Sequence, residues 1–382
     1  MSKYKINFIN SSYRRYYAKN RAKILKAIDE CYTKGDFVLR KQLEKFEQNL
    51  AKFLGIKYVV GVNSGTDALR IAYRVLGLKP GDEVITVSHV FIAPIEEIVH
   101  WGAKPILIDI GEDGLMDPDL IEKAITKKTV GIVPVHLSGK VCDMDKIMKI
   151  AKKHKLWVVE DACQALGAKW QGKKAGTTGD IGCFSHIAPK TLGVGGDAGT
   201  VVTNNKTLAK KVSLFRNHWN ITQGVLHGHQ PKAPKKMEWG TNSRLDNIHA
   251  AVLNIKLKLY PGMIKRRREI SMRYNKGLKA LEDLGLIELP IQQKEQIYQE
   301  YIIRLKDMWK FKKFMDKKGI ELLIRDTTPN HKMYEWYFGK LSLPITEAHA
   351  TASVRLPTYP ELTNDEVNKI IVATWQFFGK KI

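Results

Sequence analysis

The sequence predicts an α/β fold: a mainly parallel seven-stranded sheet with helices on both faces, followed by a smaller α+β C-terminal lobe. Three observations predict it. Short β-branched runs alternate with amphipathic stretches from about residue 57 to residue 215. The runs are near-continuously apolar instead of alternating with polar residues. After a long helical pattern at 245–280 the rhythm changes. Strands apolar on both faces and joined by helical crossovers belong to parallel sheets covered on both sides.

The strand patterns are "YVVGV" (58–62), "EVITV" (83–87), "PILIDI" (105–110), "VGIVPVHL" (130–137), "LWVVEDA" (156–162), "IGCFSH" (181–186) and "GTVVTN" (199–204). Helical patterns stand between several of them: "TDALRIAYRVLG" (66–77), "APIEEIVHWG" (93–102), "DPDLIEKAI" (117–125) and "DMDKIMKIAKKH" (143–154). The turn "KPGDE" punctuates the series where a turn is needed. In the long helix, Pro261-Gly262 breaks or kinks the pattern. Beyond it come a strand in "IYQEYIIRLKD" and a helix in "MWKFKKFMDKKGI". A last helix lies in "NDEVNKIIVATWQFFGKK". Residues 1–252 are expected to form a large domain and 253–382 a small one, packed together without a low-complexity linker.

A chain of 382 residues is too long for one simple core, and 44% hydrophobic with 27% charged residues is ordinary for a globular protein. No apolar run is long enough to span a bilayer. The start, "MSKYKINFINSSYRRYYAKNR", lacks the pattern of a signal peptide, so a cytoplasmic protein is expected. Four scattered cysteines (Cys31, Cys142, Cys163, Cys183) have no metal-ligand spacing, so no metal site is expected. A net charge of +24 favours anionic partners, but the basic residues are spread along the chain and equally fit solvated helix faces.

Chemistry concentrates in three stretches. In "YVVGVNSGTDALRIA" a strand runs into a helix through Asn63-Ser64-Gly65-Thr66. Ser64 or Thr66 can cap that helix, whose first amides form an anion site; a plain N-cap is the simpler alternative. In "LWVVEDACQALGA", Glu160 and Asp161 end a strand facing the crevice where α/β proteins bind ligands. Either could be a metal ligand, a structural cap or a partner for a protonated ring nitrogen. In "CFSHIAPKTLGVGGDAGTVVTNN", Lys190 stands between two apolar runs. Most lysines are solvated, but one held inside is a better nucleophile and suits Schiff-base chemistry. "GVGGDA" matches a dinucleotide fingerprint in form, yet leads into a strand instead of a helix, so that reading fails. The three pieces together fit pyridoxal 5'-phosphate. It needs an amine for its aldehyde, a carboxylate for its pyridine nitrogen and an anion cradle for its phosphate.

Over nearly its whole length the sequence also resembles the DegT-type sugar aminotransferases of the fold-type-I aspartate aminotransferase superfamily. The marks are "NSGTDAL", "PGDEVITV", "GAKPILIDI", "PVHLSGKVCDMD", "VVEDACQALGA", "GDIGCFSHIAPKTLGVGGDAGTVVTNN", "RNH", "GTNSRLDNIHAAVL" and "LPTYPELTNDEV", in the family's order. The resemblance implies the PLP-dependent transferase fold of type I, with Lys190 as the Schiff-base lysine and Asp161 paired with the ring nitrogen. It implies that Gln164 contacts the ring hydroxyl and that Phe91 stacks on the ring. Gly65, Thr66 and Ser185 would hold the phosphate. Asn242 would reach the neighbouring subunit's phosphate, which implies a homodimer with shared active sites.

Three departures stand out. His186 and Ile187 occupy positions where the family usually has aromatics, and His186 is either a packed core residue or a substrate contact. "IRDTTPNHKM" replaces the usual histidine-tyrosine-proline segment. Gln299 stands where a histidine is common. The last two segments normally meet the sugar.

The expected activity is transfer of an amino group from an amino acid, L-glutamate by family likeness, to a nucleotide-linked keto-deoxy sugar. The tail "LGVGGDAG" resembles that of family members acting on 3-keto sugars, which implies a 3-keto-6-deoxyhexose. Some family members are dehydratases, with a histidine in place of the lysine. A basic nucleic-acid-binding regulator built on an enzyme fold is an alternative of another class. No recognition helix, zinc finger or aromatic-basic stripe supports it, so neither nucleic acid nor membrane is expected as a partner.

Overall fold

The computed structural model describes residues 4–8, 10–219 and 238–380. All seven predicted strands form and lie in one sheet: β1 (Tyr58–Val62), β2 (Glu83–Val87), β3 (Lys104–Ile108), β4 (Thr129–Ile132), β5 (Trp157–Asp161), β6 (Ile181–Ser185) and β7 (Gly199–Thr203). Their spatial order is β1-β7-β6-β5-β4-β2-β3. β7 runs antiparallel to both of its neighbours, and the other adjacent pairs are parallel.

The apolar runs are explained by burial on two faces. Along β5, Val158 enters one core and Val159 the other, because successive strand side chains point to opposite faces. Helices α3 (Gly65–Val75), α4 (Ala93–His100) and α6 (Lys206–Phe215) supply the core on the Val159 side. The Val158 side is covered by α2 (Lys41–Leu54), α5 (Met144–His154) and the first half of α7 (Asn247–Asp283).

α7 runs unbroken from Asn247 to Asp283 with Pro261 inside it, so the expected break is not there. The expected division at 252/253 falls within this helix. Its apolar residues divide further along: Leu253, Leu257, Tyr260 and Ile264 pack under the large sheet, whereas Ile270, Tyr274, Leu278 and Leu281 belong to the core of the small lobe. That lobe is built on an antiparallel pair, β8 (Tyr301–Arg304) with β9 (Ser353–Leu356). Against it pack α8 (Met308–Lys317) and α10 (Asn364–Phe377), while α9 (Pro344–Ala352) leads into β9.

Strand register positions the expected site residues. Val62 at the end of β1 faces Gly199, which faces Ser185 on β6; Asp161 at the end of β5 is in register with Cys183. The β1–α3 turn, Ser185 and Asp161 therefore meet at one edge of the sheet, where α/β proteins bind ligands. Among the described residues no helix is long and apolar enough to cross a membrane, and no group of His, Cys, Asp or Glu is placed to hold a metal ion. The four cysteines are free thiols.

Candidate active site

A cavity of about 370 Å³ opens at this edge, and seven of the eight expected site residues line it: Gly65, Thr66, Phe91, Asp161, Gln164, Ser185 and Lys190. The eighth, Asn242, does not line it: it is exposed and bridged antiparallel to Asn217.

One wall is the start of α3. Ser64 is its N-cap, its Oγ accepting the Asp67 amide at 3.0 Å, which decides between the two capping candidates. Gly65 and Thr66 follow as the first helical residues, whose amides have no acceptor within the helix and sit at the positive end of its dipole. A Cβ on Gly65 would lie 2.7 Å from the Cβ of Ser185, so only glycine lets the helix end close onto β6. Ser243, next to Asn242, braces this end by donating to Asp67 at 2.7 Å and accepting the Asn63 amide at 3.1 Å.

The two carboxylates at the end of β5 separate completely. Glu160 is fully buried, bonded to His136 Nε2 at 2.8 Å and to the amides of Gly176, Thr178 and Gly179. Burial works to raise its pKa, but these partners hold it below the usual carboxylate range. The Cys142 amide donates to His136 Nδ1, so Nε2 is the ring nitrogen that donates to Glu160. Glu160 is thus spent on the loop at 176–179. Asp161 instead reaches the cavity, with one oxygen accepting the Cys163 amide at 3.1 Å. Gln164 is oriented by the amide of Ser138, which donates to its Oε1 at 3.0 Å and leaves the NH₂ group for the cavity.

Lys190 is half-buried, not enclosed, because cavities lie on both sides of it. The second, of about 270 Å³, shares Gln164, Pro189, Lys190 and Arg325 with the first. The turn carrying Lys190 is tightly folded: a Cβ on Gly193 would lie 2.4 Å from the carbonyl oxygen of Ile187 and 2.9 Å from that of Lys190. Phe91 is 62% exposed, its ring open to the cavity it lines.

His186 takes the packed-core alternative. It is fully buried, donating from Nδ1 to the Leu192 carbonyl and accepting the Thr200 hydroxyl at Nε2, and burial pushes its pKa down to about 4.

Two features were not legible in the sequence. Gln299 does not stop at the substrate space: its Oε1 accepts the Thr191 amide at 3.0 Å and its Nε2 donates to the Pro189 carbonyl at 2.9 Å. One carboxamide thereby ties both flanks of Lys190 to the small lobe. Next to it, Glu300 is ion-paired with Arg355 and with Arg325, which lines both cavities. Despite full burial, Arg355 and Arg325 hold the pKa of Glu300 down to about 2. The departures at Gln299 and "IRDTTPNHKM" were the only signal of this network.

Comparison with known proteins bears on this arrangement. The model of the DegT/DnrJ/EryC1/StrS aminotransferase family matches residues 18–374. A protein of Geobacillus stearothermophilus named pleiotropic regulatory protein is 33% identical, over 95% of this chain and 96% of its own length. The dTDP-3-amino-3,4,6-trideoxy-alpha-D-glucose transaminase of Micromonospora megalomicea subsp. nigra is 36% identical, over 95% of this chain and 96% of its own. The crystal structure of S. venezuelae DesV in complex with a ketimine intermediate superposes with a TM-score of 0.89 at 34% identity, covering 99% of each chain. With the family model spanning almost the entire chain and the fold matched from end to end, this protein belongs to the DegT/DnrJ/EryC1/StrS aminotransferase family.

Proposed function

We propose that the protein is a pyridoxal-phosphate-dependent aminotransferase that takes nitrogen from an amino acid, L-glutamate, and places it on a nucleotide-linked keto-deoxy sugar. Amination at C3 of a 3-keto-6-deoxyhexose is the favoured form. The observation that carries this reading is the convergence of an amine, a carboxylate and a helix N-terminus on one cavity wall.

The residues fit the cofactor. The first amides of α3 and the Ser185 hydroxyl suit its phosphate, and the close approach of Gly65 to Ser185 leaves that cradle unobstructed by a side chain. Asp161 is buried and aimed at the cavity, where a carboxylate keeps a pyridine nitrogen protonated. Gln164 presents its NH₂ group to the ring hydroxyl, and Phe91 offers a face for stacking. Bound there, the cofactor supplies an electrophilic carbon and a ring that accepts the electron pair left when a substrate carbon loses its proton. Lys190 Nζ takes that proton and returns it to the carbon being reprotonated. Asn242, exposed beside the braced end of α3, is assigned to the phosphate of a second subunit, giving a homodimer with shared sites.

A nucleotide-sugar acceptor is supported by the relative named as a transaminase of a dTDP-linked 3-amino sugar. The lysine at position 190 favours transamination over the dehydratase chemistry that uses histidine there.

Purified protein should be yellow, and borohydride should attach the cofactor covalently to the peptide containing Lys190. Lys190→Ala should abolish turnover and leave the fold intact. Protein that stays colourless with added pyridoxal phosphate ends the enzymatic reading and returns the regulatory one. With a panel of nucleotide-linked keto sugars and glutamate, NMR should locate the new amine at C3; amination at C4 refutes that preference.

A further inference from the structure

The second cavity, on the far side of Lys190, is lined by two cations that no carboxylate contacts among the described residues, although the charge of Glu361 reaches both. Lys256 is buried and donates one Nζ–H to the carbonyl of Gly193 at 2.9 Å. Arg267 is buried too, with Nη1 held by the carbonyls of Tyr298, Gln299 and Thr358. Among the described residues neither forms an ion pair, and the remaining residues of the chain include no Asp or Glu. Glu300 also lines this cavity, but both of its oxygens are taken by Arg355 and Arg325.

Two buried donors nearby lack acceptors among the described residues: Arg267 Nε, and the hydroxyl of Tyr16, whose ring lies 5.0 Å from the Lys256 ammonium. A buried unpaired cation is costly, and an orphaned buried donor calls for a missing partner. Burial, with Arg267 adding repulsion, lowers the Lys256 pKa to about 8, and the charge of Glu361 offsets this only in part.

We propose that this cavity is a carboxylate subsite, where Lys256 and Arg267 hold a carboxylate of the amino-acid donor while its amine faces Lys190. The proposal rests on the aminotransferase reading and deepens it. At about 270 Å³ the cavity has room for an amino acid beside Lys190.

The test uses the protein as purified with pyridoxal phosphate. Calorimetry should detect binding of glutarate, an unreactive dicarboxylate, and none of its neutral diamide, glutaramide. Lys256→Met should weaken glutarate by about tenfold or more and raise the KM for L-glutamate in parallel. Affinity for a nucleoside diphosphate should change less than about twofold, since it makes no contact with this pair. Wild-type protein that binds neither glutarate nor glutaramide overturns the subsite, whatever the variant does. So does glutarate affinity unchanged by Lys256→Met, or a loss that falls on the nucleoside diphosphate instead. Glutarate binding is read without reference to colour. A failed subsite in a yellow, borohydride-labelled protein is therefore distinct from failure of the cofactor reading.

Discussion

At the scale of single residues, the position of Lys190, the proposed reactive amine, depends on a side chain more than a hundred residues away. Gln299 holds the Pro189 carbonyl and the Thr191 amide, so its loss frees the peptide on both sides of Lys190. Thr191 keeps a second tether, its hydroxyl donating to Tyr260 Oη, which in turn donates to the Leu166 carbonyl. Gln299→Ala should therefore leave the turn folded and the cofactor bound, yet lower kcat by about tenfold to a hundredfold through misplacement of Nζ. If instead the sugar KM rises and kcat holds, Gln299 is a substrate contact, as its position in the sequence suggests. The same scale shows where sequence alone stops. "ED" at the end of β5 leaves two carboxylates with interchangeable roles. Strand alternation sends them to opposite sides, but which side holds the cavity depends on His136 and the 176–179 amides claiming Glu160. Likewise His186 has the composition of a functional residue and the surroundings of a core one, since its partners Leu192 and Thr200 lie on another turn and another strand.

At the scale of elements, the strands and their crossovers were legible because each carries its burial in its own composition. The run of apolar residues is the sheet's two covered faces written in one dimension. What escaped is also instructive. Residues 41–54 carry no such run, although Leu43, Phe46, Leu50 and Leu54 keep helical spacing and are all buried in α2. β9 hides better: Arg355 in its centre reads as solvated, yet it is 2% exposed because Glu300 and Asp326 receive its guanidinium. The junction of β1, α3 and β6 is where element packing becomes chemistry. Gly65→Ala puts a methyl group 2.7 Å from the Ser185 Cβ and 3.1 Å from the Cys163 sulfur. It should cost about 1–3 kcal/mol of stability by overpacking, measured by urea unfolding. It should also weaken cofactor binding, because α3 is pushed off the strand that supplies Ser185. A variant with lowered stability and unchanged cofactor affinity would separate the packing role of this glycine from the phosphate cradle.

At the scale of the whole molecule, the cavity gathers seven expected residues from one chain and leaves Asn242 outside its lining, exposed beside the buried Ser243. An exposed polar residue on a braced segment fits a contact made in trans, and complementation reads this directly. On the proposed assignment, Lys190→Ala removes the amine from its own site but leaves Asn242 to serve a partner. Asn242→Asp keeps its own amine and brings a negative charge to the partner's phosphate. Each variant alone should be close to inactive. In a dimer of one copy of each, the site holding Lys190 receives an intact Asn242, whereas the other site lacks both. With random pairing half of the dimers are mixed and each has one sound site of two, so co-expression should restore about a quarter of wild-type activity. If Asn242 served its own chain, every mixed dimer would carry two defective sites and no activity would return. Full activity of Asn242→Asp alone would remove this residue from the phosphate altogether.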